Sequence, residues 1–156
     1  SVTKQIAEGK ITISATPRTK EIVWCARSHC YWIDSRGVAF EEAPEVFGAL
    51  IVKIADETKD DFTFGEAVID AASLRSIVQF LDVLKKNGYS WEFVTYSNRN
   101  SDDFIITVMG VQVYVNTRTA TAELYNQFIE ILHTLQIDKV KYIDLRVENK
   151  VFYKLK

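Results

Sequence analysis

The stretch Tyr142-Ile143-Asp144-Leu145-Arg146-Val147-Glu148-Asn149-Lys150-Val151-Phe152-Tyr153-Lys154-Leu155-Lys156 decides how this chain is read. β-Branched and aromatic residues dominate it, and such side chains suit a pleated, half-buried surface. Glu148-Asn149 interrupts the run, and asparagine tolerates the positive φ that hairpin turns require. Residues 139–147 and 150–154 are therefore predicted to be a closing pair of strands around a two-residue loop. Lysines at 150, 154 and 156 are the usual guard of an exposed sheet edge. Two readings of that edge stay open. It is a protected edge strand, or it is a template to which a partner adds a strand of its own.

Moving back along the chain, Leu124, Phe128, Ile131, Leu132 and Leu135 form one face of a helix capped by Thr119 or Thr121. Residues 103–109 and 111–116 flank Gly110 as a hairpin, and 89–96 alternates as a strand. Leu74, Ile77, Val78, Leu81 and Leu84 mark an earlier helix, with Ser73 as cap and Gly88 as stop. Residues 50–55 read as an apolar strand, and 41–48 and 56–61 as polar loops. Nearer the start, 21–25 and 30–34 form a hairpin, Ser35-Arg36-Gly37 a tight turn and 38–40 a short strand. Residues 10–16 form another strand. Val2 and Ile6 fit the last turns of a helix, with Gly9 as its C-cap. The order predicts an α+β fold. It has a mostly antiparallel sheet and two amphipathic helices, without a repeating βαβ crossover. A boundary is expected near 41–49, dividing 1–40 from 41–156.

The chain has 156 residues, 47% of them hydrophobic, and a net charge of −2. That supports one ordinary core, or one domain plus part of another. Lysine and arginine are scattered among acids, so a nucleic-acid surface is not indicated. No apolar run reaches the ~20 residues of a membrane span. No signal peptide opens the chain, and its first residues suggest a piece cut from something longer.

Few groups suggest chemistry. His29 falls in a hairpin loop and His133 inside a helix. No phosphate loop or His-Glu-x-x-His motif is present. The carboxylate pairs Glu41-Glu42 and Asp60-Asp61 read as solvated loop residues, and Asp102-Asp103, at the end of the polar loop 98–102, as capping or solvating the start of the next strand. Cys25 and Cys30 flank Ala26-Arg27-Ser28-His29. They are either free thiols or a cross-strand disulfide, since a hairpin would place their β-carbons opposite each other. A zinc site would need further ligands that the sequence does not suggest, so no metal or cofactor is expected. Binding is the better class of function, and the chain is expected not to be an enzyme.

Three stretches resemble the FtsQ/DivIB family of bacterial cell-division proteins. They are 11–40, with Cys30-Tyr31-Trp32-Ile33-Asp34-Ser35-Arg36-Gly37-Val38-Ala39-Phe40; Gly110-Val111-Gln112-Val113-Tyr114-Val115-Asn116; and Ile143-Asp144-Leu145-Arg146 with the closing strand. The resemblance implies that 1–40 is the C-terminal part of a POTRA domain and 41–156 an FtsQ-type β-domain. It implies a divisome scaffold that binds FtsB/FtsL-type partners by strand addition at the C-terminal strand during septum formation. Candidate contact residues carried over by motif position are Arg146, Val147, Asn149, Val151 and Phe152. Val147 stands where the family often has Tyr, and the turn lacks the family's frequent Gly. The resemblance also implies an extracytoplasmic location at the division septum. Anchoring would be single-pass in the plasma membrane, through a helix outside this chain. A disulfide would suit that compartment. No small-molecule substrate or nucleic acid is implied. The alternative is a POTRA-bearing component of an outer-membrane assembly or secretion system that binds polypeptide.

Overall fold

The computed structural model describes residues 2–4, 11–13, 15–27, 29–48, 50–58, 61–98 and 100–156. Near the start, β1 (Val2–Lys4) and β2 (Ile11–Ile13) pair antiparallel, with Val2 opposite Ile13. Residues 2–4 are thus extended and not helical, as suits β-branched Val2 and Thr3. The expectations for Ile6 and Gly9 lie outside the described residues.

A meander opens the main sheet: β3 (Ile22–Ala26), β4 (His29–Ile33) and β5 (Ala39–Ala43). Asp34 shapes the β4–β5 turn. Its buried carboxylate accepts from the backbone N–H groups of Arg36 (3.0 Å) and Val38 (3.1 Å) and from the guanidinium groups of Arg18 and Arg36. Gly37 has φ +80°, and a β-carbon there would stand 2.0 Å from the carbonyl oxygen of Ile69. Only glycine fits both conditions.

Two helix crossovers then build the rest. β6 (Lys53–Asp56), α1 (Ala71–Lys86) and β7 (Trp91–Asn98) form the first. β8 (Asp103–Val108) and β9 (Val111–Asn116) follow as a hairpin, and α2 (Ala122–Thr134) and β10 (Val140–Asp144) complete the second. β6 and β7 are parallel neighbours, as are β9 and β10. The expectation of no repeating βαβ unit is corrected, because a helix that returns the chain along the sheet makes its flanking strands parallel. β11 (Phe152–Leu155) closes a nine-stranded sheet in the order β11-β10-β9-β8-β7-β6-β3-β4-β5. Antiparallel pairings outnumber parallel ones, so the fold is α+β with a mostly antiparallel sheet.

The expected boundary at 40/41 falls inside β5. β3–β5 lie in the same sheet as everything after them, and Ile22, Trp24 and Ala26 share one core with both helices. Glu41 and Glu42 are strand residues and not a loop. β6 begins at Lys53, later than expected, and leaves Leu50 99% exposed. Asp56 and Asp102, expected in solvated loops, are buried. Asp56 accepts from the Trp24 indole (3.0 Å). Asp102 accepts from Tyr96 (2.6 Å) and Arg118 (2.7 Å). Both carboxylates satisfy buried donors, which periodicity cannot reveal.

Asp70, three residues before the expected Ser73, caps α1 by accepting from the N–H groups of Ala72 and Ser73. A carboxylate suits the positive end of a helix. Thr121 caps α2 through the Leu124 N–H. The helices meet where the Phe80 ring lies 4.7 Å from Tyr125 and 5.5 Å from Phe128. They cover one face of the sheet. Along the other face the register aligns Ala43, Cys30, Cys25, Ala55, Thr95, Ile105, Tyr114, Asp144 and Phe152 in one row across all nine strands.

Candidate partner-binding edge

β11 is an edge of the main sheet. It pairs with β10 on one side, with Asp144 opposite Phe152 and Ile143 opposite Tyr153. Opposed residues of an antiparallel pair point to the same face. Phe152 therefore lies on the helix-free face beside Asp144, and Tyr153 on the helix face beside buried Ile143. Phe152, Tyr153 and Leu155 are each about half exposed, at 50%, 50% and 55%. Three large side chains half in water on one edge strand are an unusual concentration of apolar surface.

The connection from β10 to β11 is longer than two residues. Leu145 stays buried, and its N–H continues the ladder to the Tyr114 carbonyl (2.8 Å). Val151 packs partly against the core. Burial at both ends moves the turn to 147–150, where Lys150 N–H donates to the Val147 carbonyl and Asn149 takes φ +55°. The asparagine does what its sequence position suggested, within a wider loop.

Arg146 turns back onto its own strand. Its Nε and Nη2 donate to the two oxygens of Asp144 (2.9 and 2.6 Å), and its guanidinium carbon lies 5.0 Å from the Tyr114 ring centre. Asp103 is a further carboxylate neighbour at 3.7 Å, and the Arg146 carbonyl accepts from Thr119. Burial pushes the Asp144 carboxyl up, but the side-chain and backbone donors of Arg146 outweigh it and leave the group below its ordinary value. The same contacts raise Arg146. A bidentate, stacked guanidinium of this kind positions backbone.

The five sequence-derived contact residues thus separate. Phe152 is exposed on the edge strand. Val147 and Asn149 are exposed in the connection. Val151 is partly core, and Arg146, exposed itself, braces the connection against Asp144. Sequence reading missed Tyr153 and Leu155 as exposed edge residues. The continuous run 150–156 could have suggested them. It also missed Tyr114 and Asp103, which only strand pairing brings to Arg146.

Cys25 lies opposite Cys30 on β3 and β4, with Cα atoms 4.0 Å apart and the sulfurs bonded. This staple sits far along the sheet from β11. His29 comes within 3.9 Å of Asp61, which also accepts a hydrogen bond from Tyr31. His133 lies beside the Tyr89 hydroxyl (3.3 Å). Among the described residues no group of three or more His, Cys, Asp or Glu could hold a metal ion. No helix among them is long and apolar enough to cross a membrane.

Residues 22–146 match the family described as cell division protein FtsQ/DivIB, C-terminal. The match runs from the first residue of β3 to Arg146. No curated protein matches the chain. The family consists of non-enzymatic, division-site scaffolds. With most of its length matched, including the full meander and both helix crossovers, the chain belongs to the FtsQ/DivIB family of cell-division proteins.

Proposed function

We propose that this chain is a non-enzymatic scaffold of the bacterial divisome whose β11 edge receives a strand from an FtsB/FtsL-type partner during septum formation. The supporting observation is the exposure of Phe152, Tyr153 and Leu155 on a terminal edge strand. Backbone groups of an edge strand give affinity, and alternate side chains give selectivity. Phe152 on one face and Tyr153 on the other would each meet a partner side chain. Val147 and Asn149 would contact the segment as it enters, with Val151 beneath it. Arg146 would act through the backbone it holds.

The β1–β2 pair is the part we assign to the end of a POTRA domain. The β-domain would then begin near β3 and not at 41, because the main sheet already includes β3–β5. The chain would work outside the cytoplasm, held at the septal membrane by a single helix not contained in 1–156. The Cys25–Cys30 disulfide supports an oxidising compartment.

Hydrogen exchange tests the edge. Adding the membrane-proximal segment of an FtsB/FtsL-type partner should slow exchange at amides of 152–155. Phe152→Glu should weaken binding roughly tenfold or more while leaving the melting temperature nearly unchanged. Unaltered exchange at 152–155 on saturation would place the partner elsewhere.

A further inference from the structure

The Cys25–Cys30 disulfide lies on the helix-free face, and a cavity of about 720 Å³ has both cysteines in its lining. The bond joins β3 to β4, so its two ends point towards β5 on one side and β6 on the other. The register puts an alanine next in the row at each end, Ala43 beside Cys30 and Ala55 beside Cys25. A thiolate that attacks a disulfide enters along the sulfur–sulfur axis, because the departing sulfur leaves on the opposite side. The neighbours in the row therefore govern access, and a methyl group obstructs it least.

The two ends are not alike. Ala43 is buried, in a small apolar cluster against which Val46 packs, whereas Ala55 is exposed. Cys30 is the more exposed cysteine, but exposure counts here only along the axis, and the Ala43 cluster stands behind its sulfur. The open end is the β6 side, and it leads to the Cys25 sulfur. Charges of both signs line the cavity, Arg27, His29 and Lys53 against Glu45 and Glu57, so access and not charge decides what reaches the bond. Opening it does not part the strands. The β3–β4 ladder runs from Ile22 opposite Ile33 to Ala26 opposite His29, and Ile22, Trp24, Tyr31 and Ile33 hold the hairpin in the core from the other face.

We propose that Cys25–Cys30 is a thiol-exchange site, opened and closed in the folded protein by a protein dithiol that approaches over β6. In the reducing direction a donor thiolate bonds to the Cys25 sulfur, and the Cys30 sulfur leaves as a thiolate and takes a proton from water. The donor's second thiolate then attacks the donor sulfur of the mixed disulfide and releases Cys25, which is protonated in turn. Two electrons and two protons pass to the cysteine pair, and the donor is left as its disulfide. The reverse sequence closes the bond.

The test uses the whole chain with dithiothreitol and with reduced thioredoxin as donors, and thiols are counted by mass after blocking with N-ethylmaleimide. Both donors should reduce the bond at a rate proportional to their concentration. Ala55→Leu should slow both roughly tenfold by shielding the axis, and Ala55→Ser should leave both rates unchanged. Phe80→Ala weakens the fold from the opposite face and should also leave them unchanged, whereas reduction through unfolding would speed up ~100-fold or more. The direction of attack is read with glutathione, quenched in acid at early times. Trypsin cuts after Arg27, between the two cysteines, and the glutathione adduct should appear on peptide 21–27 with the free thiol on 28–36. An adduct on 28–36 overturns the proposal, as does a rate that Phe80→Ala raises or that Ala55→Leu leaves alone. Reduction by dithiothreitol but not by thioredoxin overturns it as well, since the site would then admit no protein donor.

Discussion

Single residues hold the turns of this protein, and they do so by opposite means. Gly37 is there because anything larger collides. Gly37→Ala combines an unfavourable positive φ with a 2.0 Å approach to the Ile69 carbonyl, a contact that must open. A loss of roughly 2 kcal/mol or more is expected in urea unfolding. Arg146 is there because of what it reaches. Arg146→Ala removes the donors to Asp144 and the stacking on Tyr114. The stability loss should be modest, about 1 kcal/mol, since the pair is partly solvated. Hydrogen exchange should nevertheless accelerate at 145–153 while the β8–β9 hairpin keeps its protection. Arg146→Lys should rescue this only in part, because an ammonium cannot make the fork. The disulfide closes a very short loop, so the double change Cys25→Ala with Cys30→Ala should cost about 2 kcal/mol. Reduction with a dithiol should lower the melting temperature to a similar extent.

Among the elements, α1 and α2 were legible because their apolar stripes repeat at helical spacing and their ends carry caps. The strands were harder. Periodicity reports which faces are buried and is silent on which strands are neighbours. β6 illustrates this. The strand before it, β5, lies three places away in the sheet, and β6 pairs instead with β3 and with β7, parallel to both. The seam between the helices carries much of the core. Phe80→Ala removes a ring that contacts both Tyr125 and Phe128. It should cost ~3–5 kcal/mol in thermal or urea unfolding. A smaller loss would mean that α1 and α2 close the gap by shifting together. The β11 edge was foreseen as a strand, but its connection was not. Nothing local in Leu145 says that it bonds to β9 and does not turn.

For the molecule as a whole, pH should act at both extremes. Asp34, Asp70 and Asp144 all lie below the ordinary 3.8. At Asp34 and Asp144 burial works against this, and arginine and backbone donors prevail. At Asp70 the capping N–H groups dominate. A carboxyl with a lowered folded pKa adds stability above its unfolded value, and that stability is lost as pH falls through the folded one. Melting temperature should therefore drop steeply below pH 4, and Asp144→Asn should remove part of the drop. Tyr31 and Tyr125 are raised to about 12. Burial is the main cause in both, with Asp61 adding to it at Tyr31. Between pH 10 and about 12 the unfolded chain has lost these phenolic protons and the folded chain has not. Stability should thus fall through that window as pH rises. Tyr125→Phe should blunt the fall.

The α+β class, both helices, the closing strand pair and the Gly110 hairpin are written locally in the chain. Each of these rests on near-neighbour spacing, caps or turn residues. The same local signals brought Cys25 opposite Cys30 and carried the family motifs. Tertiary structure alone decided the rest. It put β3–β5 in one sheet with the later strands, made two crossovers parallel and buried Asp56 and Asp102. It also brought Arg146 back onto Asp144 and Tyr114 and left Phe152 and Tyr153 half in water. The reason is that burial and hydrogen-bond partnership belong to pairs of distant residues. Arg146 and Tyr114 are thirty-two positions apart, and only the parallel register of β9 and β10 makes them neighbours.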